Sequence, residues 1–268
     1  MALGNITLGQ YYPGQSAVHK MDPRVKIILL IALIVAIFLA GNLLAYVPVA
    51  VFLVVAAKVA KIPFRLLIKG LKPLRLILIL TFVLNLFFLP GETVLLDLGF
   101  TAVKTESLLT AIHYSLRLVL LVMGSSLLTL TTPPIVLTDG LERLLSPLRV
   151  IHFPAHEMAM MMSIALRFIP TLLEEADKIM KAQTARGADF ESGNLIARAK
   201  AMVPLLVPLF VSAFRRAGDL AMAMEARCYH GGEGRTRLRV LKCQKRDYIA
   251  CAVMALLILA VALCNRVY

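Results

Sequence analysis

The sequence predicts an all-α membrane protein: about five transmembrane helices and a cytoplasmic domain of about three amphipathic helices. Three observations carry this reading. Hydrophobic residues make up 59% of the 268 and mean hydropathy is +0.81. Only 17% of residues are charged, against roughly 25% in a soluble globular domain. Finally, the basic residues gather on one side of a series of apolar runs.

The runs follow in order. The first is Val25 to Ala40 and the second Leu43 to Ala57, divided by the turn signal Gly41-Asn42. At 1.5 Å per residue each covers only about 22 to 25 Å of a roughly 30 Å hydrocarbon core. The two form a tight helical hairpin or, alternatively, one long tilted helix. Residues 58–75 then supply six Lys or Arg and no acid. A third run, Leu76 to Leu89, stops at Pro90-Gly91, and residues 92–106 hold a small interfacial turn. The fourth span runs from about Leu108 to Thr131 and is closed by Pro133-Pro134, and the last is Tyr248 to Cys264. Residues 1–20 are polar and lack an apolar core with a cleavage site, so no secretory leader is expected.

Charge sets the orientation. Three cations precede or open the first span, six lie in 58–75 and seventeen in 132–247, whereas Lys104 and Arg266 fall on the other side. The positive-inside rule places the N-terminus and both basic regions in the cytoplasm and the C-terminus outside. The expected domains are a four-span membrane domain at 1–131, a cytoplasmic domain at 132–246 and a last span at 247–268. Topology and anionic headgroups account for the net charge of +13, so the lipid bilayer is an expected partner and nucleic acid is not.

Within the cytoplasmic third, residues 134–147 form a short amphipathic segment. Residues 157–185 place Met158, Met161, Met162, Phe168 and further apolar residues at three-and-four spacing, with Glu174, Glu175 and Asp177 opposite. A second long helix spans about Arg198 to Arg227 and carries Phe210 and Phe214 on its apolar stripe, with Pro204 and Pro208 bending it or marking its start. Its apolar centre, Met202 to Phe214, is too short to span and is closed by Arg215-Arg216, so it is read as lying against the membrane or packed under it. The two helices end alike, in Ala185-Arg186-Gly187 and, forty-one residues on, in Ala226-Arg227-Cys228. A cation in the last turn complements the helix dipole, and glycine is a natural left-handed cap. Two such endings on consecutive helices also present two guanidinium groups between small neighbours, suited to two similar grooves on partners.

With "HKMDPRVKI" (19–27), "TARGAD" (184–189) and "AMEARCYHGGEGRTR" (223–237) on the page, the chain resembles the transmembrane T component of energy-coupling factor (ECF) transporters. The resemblance covers nearly the whole chain. It implies that the cytoplasmic domain is a coupling domain working with two ATP-binding-cassette ATPases and with a substrate-capturing membrane protein, the S component. It implies that Ala185, Arg186 and Gly187 dock one ATPase and Ala226, Arg227 and Cys228 the other, with Cys where the motif often has Gly. We expect Met158, Met161, Met162, Phe168, Phe210 and Phe214 to face the S component. No G-x-x-x-x-G-K-[ST] phosphate loop is present, so the chain is expected to be non-catalytic, without cofactor or metal, with ATP bound by its partners. By resemblance the S component selects the cargo, vitamins first and transition-metal ions behind.

Other signals are weaker. "HEMAM" (156–160) lacks the second His of a zinc-protease helix, and His152 lies across Pro154 from it. "GGEGR" (231–235) has no preceding strand and reads as an exit from the helix. Arg117, beside His113 and Tyr114, is expected to snorkel to the outer surface, and Gly124-Ser125-Ser126 to allow close helix packing. The four cysteines show no metal spacing and no disulfide is expected. The competing reading is a self-contained secondary transporter or channel, which needs inverted repeats and midplane polar groups.

Overall fold

The computed structural model describes residues 11–88, 94–97, 102–151, 153–190, 194–231 and 241–266. The chain divides into two compact units, one of Gly9–Leu141 with Val240–Tyr268, the other containing Glu142–Arg239.

In the first unit, helix α1 (Pro23–Leu39) begins at an Asp-Pro start signal. The Asp22 side chain accepts from the Arg24 backbone N–H at 2.9 Å, and Pro23 fills the first position, where no donor is needed. The helix thus starts two residues ahead of the apolar run that announced it. Burial alone would raise the Asp22 carboxyl, but hydrogen bonds from the Arg24 side chain and backbone outweigh it and hold the group below its usual value. Asp247, buried at the start of α9 (Lys245–Arg266), accepts from Asp22 N at 3.0 Å and from Gln244 N at 2.7 Å, tying the two helix starts together.

The chain turns at Gly41-Asn42, makes one short 3-10 turn (Leu43–Ala45) and enters α2 (Tyr46–Ala60). These are two helices, not one tilted rod. Their arms pack chiefly against α5 (Thr105–Thr131) and α9 and only slightly against each other. Ile37, Tyr46, Val49 and Leu53 are the centre of the core, with Leu120 and Val261. Gly124 lies where α5 passes α1, and a Cβ there would lie 2.7 Å from Leu33 Cδ2, so that leucine would have to shift. The α1–α2 turn is held from two sides. The Asn265 side chain donates to Leu39 O and accepts from Gly41 N, and Arg117 Nη2 donates to Ala40 O at 3.3 Å.

The basic 58–75 stretch holds the end of α2, then α3 (Phe64–Leu71) and a 3-10 turn at Lys72–Leu74, and leads into α4 (Arg75–Phe88). Buried Leu67 anchors α3, which packs on α5, as does α4. Where a small turn was expected at 92–106, Val94–Asp97 (β1) pairs antiparallel with Ala102–Lys104 (β2), the only strands among the described residues. Arg117, half-buried, donates from Nε to Tyr46 Oη at 3.1 Å and stacks on Phe38 and Tyr114, at the end of the bundle where the α1–α2 turn lies.

Among the described residues, five segments are long and apolar enough to cross a membrane by length and composition: Leu43–Ala60, Phe64–Phe88, Thr105–Thr131, Lys200–Glu225 and Lys245–Arg266. Four of them carry expected spans, and Lys200–Glu225 falls in the stretch read as lying against the membrane. Helix α1, the expected first span, has 17 residues, about 25 Å, as short as its apolar run implied.

Lys200–Glu225 belongs to α8 (Leu195–Glu225), one helix of 31 residues continuous through Pro204 and Pro208, neither of which marks its start. The second unit pairs it with α7 (Ala155–Ala185), also of 31 residues. Ahead of them lie α6 (Pro134–Leu145) and a 3-10 turn at Ser146–Ile151. His156, the first residue of the zinc-like string, pairs with Glu142 at 2.9 Å, and the described residues hold no cluster able to bind a metal. His152 and residues 232–235 of the glycine-rich stretch lie outside the described residues.

Candidate functional site

The two helix ends follow one design. After α7, the N–H of Gly187 donates to Thr184 O at 2.9 Å and that of Ala188 to Gln183 O at 3.0 Å. After α8, the N–H of Cys228 donates to Glu225 O at 2.9 Å and that of Tyr229 to Met224 O at 3.0 Å. Each is a Schellman cap, whose two crossed bonds satisfy the last carbonyls of a helix. Such a cap requires one residue in the left-handed region. Gly187 supplies it with φ +89° and Cys228 with φ +55°, so the cysteine fills the cap position despite its Cβ. Arg186 and Arg227 each fall one residue before it.

All six residues of the two motifs are exposed. Neither guanidinium makes an ion pair among the described residues. Nothing lies within 4 Å of where a Gly187 Cβ would be, so a neighbouring surface has room to approach.

Where the helices are joined by polar groups, the geometry repeats the motif spacing. Glu175 on α7 accepts from Ser212 Oγ and, at 2.9 Å, from Arg216 Nη2 on α8. Glu175 precedes Arg186 by eleven residues, and Arg216 precedes Arg227 by eleven. The contact therefore lies about 16 Å along each helix from its arginine. The hydrogen bond from Ser212, then those from Arg216, hold the Glu175 carboxyl below its ordinary value. Sequence spacing alone had put Glu175 merely on a polar face, because its two partners are 37 and 41 residues away.

The residues expected to meet a membrane partner are also unpartnered. Met158, Met161 and Met162 on α7 and Phe210 and Phe214 on α8 are exposed, Phe214 to 75%, while Phe168 is half-buried. On α8 the apolar stripe continues through Val203, Leu206 and Val207 at helical spacing.

Apolar helices of spanning length define a multi-pass membrane protein. Residues 14–238 match the family model described as CbiQ, cobalt transport protein. The chain is 53% identical over 265 residues to the energy-coupling factor transporter transmembrane protein EcfT of Clostridium kluyveri, covering 98% of both chains. It is 54% identical over 260 residues to the protein of the same name from Acidaminococcus fermentans, covering 97% of each. With that of Bacillus subtilis the identity is 48% over 261 residues, 97% of this chain and 98% of the other. The chain belongs to this family, the transmembrane components of energy-coupling factor transporters. Membership sets aside the self-contained secondary transporter or channel.

Proposed function

We propose that this chain is the non-catalytic coupling subunit of an ECF importer and that its two arginine-capped helix ends each dock one ABC ATPase. Arg186 and Arg227 enter a groove on either ATPase, flanked by Ala185 and Gly187 and by Ala226 and Cys228, whose small size lets the partner reach the backbone. ATP is bound and hydrolysed by those partners, and the chain carries no cofactor of its own. The ATPases' closure shifts the two tips, and α7 and α8, clamped at Glu175, pass the motion on as a unit. The apolar surface bearing Met158, Met161, Met162, Phe168, Phe210 and Phe214 holds the S component. The N-terminus and residues 132–246 lie in the cytoplasm, with the C-terminus outside. The cargo is a micronutrient chosen by the S component, a vitamin or a transition-metal ion such as the cobalt in the family's description.

One observation supports this reading above the rest. Two Schellman caps present two exposed arginines at equal distance from the same interhelical contact. A cap serving only its own helix needs neither the arginine nor the equality. Purification from cells co-expressing both ATPases tests it. Arg186→Glu or Arg227→Glu alone should each release about one ATPase, and the double variant both. Retention of both ATPases and full transport by the double variant would refute the assignment.

A further inference from the structure

With the coupling role proposed for α7 and α8 as its basis, we infer that Asp22-Pro23-Arg24 is the fixed seat through which the coupling stroke enters the first unit. These three residues grip both stretches of chain that lead to the second unit. The chain passes between the units twice, after Leu141 within α6 and between Arg239 and Val240. On the first unit's side, each passage meets the start of α1.

At the first passage Gly140 lies against Pro23. A Cβ on it would stand 2.9 Å from Pro23 Cβ, 3.2 Å from Pro23 C and 3.3 Å from Arg24 N. Two of those atoms are backbone and the third belongs to a ring, so none can swing aside. Helix preference favours Ala over Gly inside a helix, and here the close approach to α1 runs against it. At the second passage Arg24 Nη2 donates to Leu241 O at 3.4 Å and to Cys243 Sγ at 3.8 Å.

The seat is ionic and largely buried. Arg24 holds Asp22 in a fork, Nε to Oδ1 at 3.0 Å and Nη2 to Oδ2 at 2.8 Å, and the Asp22 side chain is 2% exposed. Such a fork fixes direction as well as distance. Asp22 N is bound to Asp247 Oδ1, whose Oδ2 receives Gln244 N, so the returning chain is held at Leu241 and again at Gln244. Capping of α1 does not require the guanidinium, because Asp22 accepts from the Arg24 backbone N–H. Arg24 is therefore a positioning residue for a segment 217 residues away. With Gly140 and Leu241 both held, bending is confined to residues beyond them, and displacement of the two arginine tips is delivered to one point of the bundle.

Spin labels carried by non-natural residues, which spare the four free cysteines, test this in the complete complex with both ATPases and the S component. One pair joins exposed Ile31 on α1 to exposed Lys242, and a second joins Ile31 to exposed Met222 on α8. ATP should shift the 31–222 distance and leave 31–242 unchanged. In Arg24→Gln, which keeps the Asp22 cap, 31–242 should broaden without nucleotide and shift with ATP; circular dichroism verifies the fold. In the chain alone Gly140→Ala should lower the melting midpoint, where helix preference by itself would raise it. Movement of 242 by as much as 222 in the unaltered chain would overturn the inference. So would a 31–242 distance that Arg24→Gln leaves sharp, or a raised midpoint in Gly140→Ala. Failure of the docking reading shows separately, as ATPases retained by the chain carrying both Arg186→Glu and Arg227→Glu.

Discussion

The Schellman caps differ at one position, and the difference has a measurable size. Gly187 occupies the left-handed region at no steric penalty, whereas Cys228 holds φ +55° with a side chain. For an L-residue that conformation costs about 1 to 2 kcal/mol. Glycine gives back roughly 0.5 to 1 kcal/mol because its open state is more disordered, which leaves about 0.5 to 1 kcal/mol, a factor of two to five. No neighbour lies within 4 Å of a Gly187 Cβ, so Gly187→Ala adds only this backbone strain and no clash. Hydrogen exchange reads the caps at their crossed amides, Ala188 N and Tyr229 N. Gly187→Ala should speed exchange at Ala188 two- to fivefold, and Cys228→Gly should slow it at Tyr229 by the same factor. Unchanged exchange in both variants, or faster exchange at Tyr229 in Cys228→Gly, would refute the equivalence of the two ends.

Three further outcomes follow from the geometry. Because the folded Glu175 carboxyl titrates below its ordinary value, its clamp is fully present above the ordinary carboxylate range and is lost as the pH falls through the lowered value. Spin-label distances between α7 and α8 should therefore broaden in acid, and in Glu175→Gln they should no longer change across that range. Asn265→Ala removes one donor and one acceptor from the α1–α2 turn. It should lower stability by about 1 to 2 kcal/mol, read as a drop in the micellar melting midpoint; an unchanged midpoint would show that Arg117 alone holds the turn. Lys26→Met strands three oxygens at a buried site and should destabilise by about 2 kcal/mol, and equal or greater stability would show that the buried amine is not structural.

What the sequence disclosed, and what it withheld, depends on the range of the interactions. The long helices and their ends were legible because periodicity and cap residues act over a few positions, and Ala-Arg-small at a helix end is such a signal. Asp22-Pro23 is such a local signal too, and it marks the start of α1 two residues ahead of the first apolar residue. The prolines misled differently. Pro204 and Pro208 sit four apart inside α8, which continues through both, so a local breaker rule gave way to the longer helix. For Arg117 the sequence shows depth but not the Tyr46 and Ala40 oxygens contributed by another segment. Glu175 with Arg216, Asn265 with the Leu39–Gly41 turn and Lys26 with Thr131 are all pairings beyond any local pattern.

The most direct test is crosslinking in native membranes, with a photoactivatable residue placed in turn at positions 186 and 227 and both ATPases present. Each position is expected to crosslink to an ATPase chain, with yields that change when ATP is added. Crosslinks confined to this chain's own helices, or to lipid, at both positions would contradict the docking role from which the coupling function is drawn.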